Sequence, residues 1–223
     1  YAAAEADKAL REDLNVMMFS DNVKIEDELR LKKMAVEKGL LMMGPDCGTA
    51  IINGVPLCFA NVVRRGKIGL VGASGTGTQE ITVIAHQLGE GFSQVIGTGG
   101  RDLSETIGGL MMIQGIEALM ADPETEVIVL VSKPPAASVE KKIYELVKKT
   151  DKPVVIDFIG GDAESIKEAG AYPCLSLEDA ARKAVALVRG EEPVSFDAFD
   201  ADEAEINQIV EQAVGKLKSE QKH

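Results

Sequence analysis

Short apolar runs alternate with segments in which apolar residues recur every three or four positions, from the start of the chain to Arg189. That alternation predicts βαβ units and a mostly parallel sheet. Strands are expected over residues 15–20, 40–43, 67–72, 92–96, 126–132 and 153–159. The run from Val127 to Val131 is apolar throughout, as for a strand covered on both faces. Helical spacing marks 25–38, with Leu29, Lys32, Lys33 and Val36 in step and Gly39 suited to its C-terminal end. Leu110, Ile113, Glu117 and Met120 mark another helix, ended by Asp122-Pro123. Further helices are expected over 139–149 and 177–189.

A domain junction is expected near 61–65, before Gly66-Lys67. Residues 1–62 carry only two of the strands, so they read as the C-terminal part of a nucleotide-binding-type, Rossmann-like domain that starts outside this chain. Residues 63–190 read as a flavodoxin-like doubly wound domain. The expected fold class is therefore α/β, a partial nucleotide-binding-type domain followed by a flavodoxin-like parallel-sheet domain. Residues 191–223 turn acidic, with Glu191, Glu192, Asp197, Asp200, Asp202 and Glu203, and read as a linker. They end in a predicted amphipathic helix over 205–218, with Ile206, Ile209 and Val210 on one face.

Composition narrows the function. At 223 residues and 45% hydrophobic, the chain can bury a substantial core. A net charge of −12 argues against nucleic acid and anionic membranes, both of which are bound through excess Lys and Arg. No apolar run approaches the ~20 residues of a membrane span. Cys47, Cys58 and Cys174 show no paired spacing, which fits a reducing, cytoplasmic setting. With only His86 and His223 as histidines, no metal site is expected, and His86, inside a helical pattern, is expected to be structural.

Candidate chemistry gathers in Gly-rich loops after the strands. Residues 68–72 run into Ala73-Ser74-Gly75-Thr76-Gly77-Thr78, with a helix expected from about Thr78. Unpaired N–H groups and the macrodipole at a helix N-terminus favour an anion, and glycines let it approach the backbone. A Walker A loop fails because Thr78 stands where Lys is needed. The glycines read G-x-x-G-x-G rather than G-x-G-x-x-G, and Thr76 breaks a nucleophile elbow. The next strand leads to Gly97-Thr98-Gly99-Gly100-Arg101-Asp102, where Arg101 could grip an anion or simply pair with Asp102. Lys133 ends the following strand, and Gly160-Gly161-Asp162 the one after. Gly44-Pro45-Asp46-Cys47-Gly48-Thr49 reads as a turn or a ligand loop.

Taken in order, these loops resemble the α-subunit of succinyl-CoA ligase and related NDP-forming acyl-CoA ligases. Gly44-Pro45-Asp46-Cys47 is similar to the family's Gly-Pro-Asn-Cys. The Ser74–Glu80 stretch is similar to its Ser-Gly-Thr-Leu-Thr-Tyr-Glu, Gly99-Gly100-Arg101-Asp102 stands at its Gly-Gly-Asp-Pro, and Asp122–Glu126 matches its acidic turn. In that family a Gly-His-Ala-Gly-Ala histidine carries phosphate. Here Lys167-Glu168-Ala169-Gly170-Ala171 puts Glu168 in its place, and Lys133 replaces the supporting Glu. Glutamate cannot form a phosphoramidate, and lysine attracts phosphate instead of orienting a histidine. That combination, with Asn15–Val23 and Val131–Ala136, is similar to the FdrA family.

The resemblance implies small-molecule anions as ligands, other subunits or a homo-oligomer as partners, and a link to oxamate carbamoyltransferase of allantoin breakdown. Carbamoyl phosphate or another acyl phosphate is then the expected substrate. Ser74, Gly75, Thr76, Gly77, Thr78, Gly99 and Gly100 would form the phosphate site, with Lys133 and Arg101 neutralising charge. Asp46 and Cys47 would be a CoA or ligand loop. No cofactor follows from the residues themselves, and CoA or a nucleotide stays open. Two alternatives remain, an acyl-CoA synthetase and a non-catalytic scaffold or metabolite sensor.

Overall fold

The computed structural model describes residues 1–197, 203–216 and 218. The chain opens with α1 (Ala2–Arg11), β1 (Val16–Met17), α2 (Ile25–Lys38) and β2 (Met42–Met43). The two short strands pair in parallel, and Leu10, Leu31, Ala35, Met42 and Met111 close a small core between them and the helices. Gly39 ends α2 with φ 68°, a left-handed conformation that suits glycine. The buried stripe of α2 is Glu28, Leu31, Lys32 and Ala35, whereas Val36 is exposed. Spacing alone pointed to Leu29, Lys32, Lys33 and Val36, of which only Lys32 is buried. The difference arises because two charged residues are buried as an ion pair.

A seven-stranded sheet carries the rest, built from β3 (Thr49–Ile52), β4 (Val55–Cys58), β5 (Arg65–Gly72), β6 (Phe92–Gly97), β7 (Val127–Ser132), β8 (Val154–Phe158) and β9 (Tyr172–Pro173). Their order is β4-β3-β6-β5-β7-β8-β9. β5 to β9 are parallel and occur in flavodoxin order, with β5 central. β3 and β4 form an antiparallel hairpin through Asn53-Gly54, whose φ values are 51° and 80°. The hairpin joins the sheet antiparallel to β6, so two strands on the N-terminal side of the expected 61–65 junction extend the larger sheet.

Both faces are covered. On one lie α3 (Gly75–Gln87) and α7 (Leu177–Val188), packed over Ile68, Leu70, Val129 and Val155. On the other lie α4 (Leu110–Ala121), α5 (Ala137–Val147) and the short α6 (Ala163–Glu168), over Val71, Ile128, Leu130 and Ile156. This double covering explains the continuously apolar strands. A last helix, α8 (Glu203–Gly215), carries Ile206, Ile209, Val210 and Val214, all exposed. Asp200, Asp202 and His223 lie outside the described residues. No helix among the described residues is long and apolar enough to cross a membrane.

Candidate anion site at the sheet switch point

The strand order reverses between β5 and β7, since β5 connects to β6 on one side and β6 then crosses back to β7 on the other. In open α/β sheets the crevice beyond the carboxyl ends at such a reversal is where ligands sit. Gly72 of β5 pairs with Val131 of β7, and the Ala73 N–H donates to the Val131 carbonyl at 3.0 Å. Ser74 and Lys133 therefore leave adjacent strands two residues beyond paired positions.

The α3 helix begins at Gly75, three residues earlier than expected, because Ser74 caps it: its Oγ accepts from Gly77 N at 3.2 Å. Thr78 N donates to the Ser74 carbonyl at 3.0 Å. The first-turn N–H groups left over belong to Gly75 and Thr76, both exposed. Gly77 and Thr78 are buried. A Cβ at Gly72 would lie 2.3 Å from Thr78 Oγ1, so that hydroxyl is packed against the strand end. Of the five expected loop residues, Gly75 and Thr76 thus face solvent and the other three build the loop.

The neighbouring Gly99 loop is arranged differently. Gly99 has φ 84° and is buried, and a Cβ there would lie 2.1 Å from the Pro45 carbonyl. Gly100 is exposed, with Asp46 Oδ2 3.4 Å from its Cβ position. Arg101 Nη2 pairs with Glu28 Oε2 at 2.8 Å and donates to the Val23 carbonyl at 2.8 Å. The expected alternative, pairing with Asp102, gives way to this contact. Asp102 is fully buried and binds Lys32 Nζ at 2.7 Å while accepting from the N–H groups of Met111 and Met112. Lys32 in turn reaches Glu28 at 2.9 Å.

The Asp46 loop folds between the two. Cys47, Thr49, Gly72, Gly75, Gly97 and Gly99 line a crevice of about 10 Å³ with Asp46 at its lip, room for one water. A larger anion would sit at its mouth over Gly75 and Thr76. Cys47 is buried, and burial pushes its thiol up to about 11, which makes it a poor nucleophile at neutral pH. At this size the crevice does not admit coenzyme A, and no basic side chain lines it. Lys133 is exposed, and no hydrogen bond or ion pair engages it among the described residues. Glu168 ends α6 and lines a groove with Tyr144 and Lys148 of the α5 side, apart from the Ser74 loop. His86 Nδ1 accepts from the Arg64 N–H at 3.1 Å, a structural role.

The comparisons agree with this architecture. A family profile described as a CoA binding domain matches residues 63–160. The chain is 59% identical over 187 residues to the protein YahF of Escherichia coli strain K12, covering 84% of this chain and 36% of YahF. It is 33% identical over 176 residues to a mitochondrial ADP-forming succinate–CoA ligase subunit alpha-2 of Trichomonas vaginalis, covering 75% of this chain and 54% of that protein. The chain belongs to the FdrA family. This family is succinyl-CoA ligase α-like. The FdrA-type chain described here spans about half the length, or less, of these curated relatives. In fold it is similar to the ATP citrate lyase of Methanothrix soehngenii solved with citrate and coenzyme A, at TM-score 0.70 and 19% identity, covering 98% of this chain and 42% of the other. An acetyl-coenzyme A synthetase from Ca. Korarchaeum cryptofilum gives TM-score 0.67 and 17% identity over 84% of this chain and 46% of its own.

One residue of the site escaped the sequence reading. Asp157 interrupts the apolar strand Val154-Val155-Ile156-Asp157-Phe158 and is only 3% exposed. Burial, with Asp179 nearby, raises its carboxyl from the ordinary 3.8 to about 6. The signal was present in the sequence, since an acid inside a strand covered on both faces is uncommon.

Proposed function

We propose that this FdrA-type chain holds an acyl phosphate at the β5/β7 switch point and works without a phosphorylated protein residue. The observation that carries the reading is the adjacency of the Ser74 loop, with unpaired Gly75 and Thr76 donors, to the unengaged ammonium of Lys133. Helix donors and a flexible cation together suit a phosphoryl group that must be bound and then released. In the resemblance to FdrA proteins the acyl phosphate is carbamoyl phosphate, in a cytosolic enzyme of the oxamate carbamoyltransferase type. Carbamoyl transfer breaks the carbon–oxygen bond to phosphate and forms a carbon–nitrogen bond to the acceptor amide, which loses a proton. Phosphate leaves with the bonding pair, and Lys133 would neutralise the charge that develops on it. Arg101, tied to Glu28, would instead hold the Gly99–Gly100 turn in place. Glu168, on the far side of α5, would take no part.

The test uses the full protein with its partner subunits. Lys133→Ala should lower carbamoyl transfer at least tenfold, in line with loss of a group acting on developing charge. Unchanged kinetics would remove Lys133 from the mechanism. The names of the relatives also support an acyl-CoA synthetase reading, which predicts an acid-labile phosphoenzyme after incubation with labelled ATP. The present reading predicts no label.

A further inference from the structure

Lys32 lines no part of the crevice, yet it reaches the site from behind. It lies on α2, is fully buried, and its ammonium meets three acceptors. Two are carboxylates, Asp102 Oδ1 at 2.7 Å and Glu28 Oε1 at 2.9 Å. The third is the Thr98 carbonyl, at 2.9 Å. The two acids already balance the charge of Lys32 and Arg101 in this quartet, so the bond to Thr98 calls for an explanation of its own.

Thr98 is where three loops of the site meet. Its N–H donates to the Gly72 carbonyl at the end of β5, at 2.9 Å. Its carbonyl also accepts from the Gly44 N–H, at 3.3 Å, at the head of the Asp46 loop. Its neighbours Gly97 and Gly99 both line the crevice. The Thr98–Gly99 peptide is trans, so the Gly99 N–H points away from the carbonyl that Lys32 holds. Gly99 is buried, and its N–H donates to no group among the described residues. A buried N–H without an acceptor is uncommon in a folded chain. A cation on the carbonyl side of a peptide polarises it and makes its N–H a stronger donor.

We propose that Lys32 is a positioning residue of the anion site, pinning and polarising the Thr98–Gly99 peptide so that the Gly99 N–H joins Gly75 and Thr76 as a donor to the bound anion. The inference rests on the reading of the crevice mouth as an anion site, and it adds a donor and the residue that sets it. Helix α2 then acts on the site although none of its residues lines the crevice.

The test is a calorimetric titration of the protein and two variants with inorganic phosphate, together with amide NMR of the glycine-labelled wild type. Glu28→Gln loosens the quartet but leaves Lys32 on Thr98 and Asp102, and should bind phosphate at least as tightly as the wild type. Adding Lys32→Met returns the quartet to its original net charge and should weaken phosphate about tenfold, the scale of one hydrogen bond to a charged group. A lysine that merely ties α2 in place predicts weakening by both variants. In the wild type the Gly99 amide proton should move downfield as phosphate binds, a readout that holds even where the double variant does not fold. Phosphate binding with the Gly99 proton unmoved, a double variant that binds like Glu28→Gln, or equal weakening by Glu28→Gln alone would overturn the proposal and leave the anion site standing. No phosphate binding by the wild type would overturn both.

Discussion

Two acidic residues sit buried near the carboxyl edge of the same sheet, and they are treated in opposite ways. Asp102 is enclosed by an ammonium and two backbone N–H groups, and through Lys32 it joins Glu28 and Arg101 in one chain of charges. Asp157 Oδ2 is buried with no hydrogen-bond partner among the described residues. The first arrangement locks α2 of the N-terminal lobe to the loop after β6, and it consumes the loop's charged side chains. The second holds polar capacity in reserve beside an open cleft. The contrast teaches that a Gly-rich loop at a sheet edge becomes a binding site only where its donors and acceptors are left unspent.

The sharpest way to break the comparison is to remove Lys32. Lys32→Met would leave Glu28 and Asp102 buried without their shared cation, and loss of one partner of a buried pair costs about 3–5 kcal/mol. Urea unfolding should show that loss, and a change below about 1 kcal/mol would mean the quartet is not a lock.

Removing the second acid should do the reverse. The folded carboxyl of Asp157 titrates near 6 against an ordinary 3.8, so its charged form opposes folding above pH 6. That penalty fades as pH falls through 6 and is gone below the unfolded value. Asp157→Asn should therefore stabilise the protein at pH 8 by on the order of 2–3 kcal/mol, with the gain vanishing near pH 4. Paired urea midpoints at the two pH values check this, and a pH-independent gain would show that charge is not the cause.

The smallest effect expected is at the capped loop. Ser74→Ala removes the bond to Gly77 N and should cost about 1 kcal/mol, read as a shift in thermal midpoint. A larger loss would mean that Ser74 supports more than its own helix.

Much of this was legible in the sequence, because the physics was local. The apolar runs from Val127 to Val131 and from Val154 to Ile156 fixed strands covered on both faces, and Gly39 marked the end of α2. The hairpin of β3 and β4 was missed although Asn53-Gly54 between apolar stretches is a strong turn signal. Pro56 and the exposed Phe59 obscured the strand on its far side. Tyr172–Pro173 gave no strand pattern, since β9 is two residues long and depends on β8 for its form. At the site, the Ser74 loop was visible because helix capping is a short-range matter. The partners of Arg101 and Asp102 were not, since Glu28 and Lys32 lie some seventy residues away in the chain. Asp157 was passed over because its meaning depends on burial, which only the packed α3 and α7 reveal.

The measurement that bears most directly on the anion site is a calorimetric titration of the protein with inorganic phosphate and with carbamoyl phosphate. Both should bind, and Gly75→Pro, which removes one of the two free N–H donors at the first helical position, should weaken them by about tenfold or more, since a hydrogen bond to a charged group is worth about 1.5–3 kcal/mol. Binding that survives this substitution unchanged, or no binding of either anion, would contradict the assignment of the α3 N-terminus as the phosphate site.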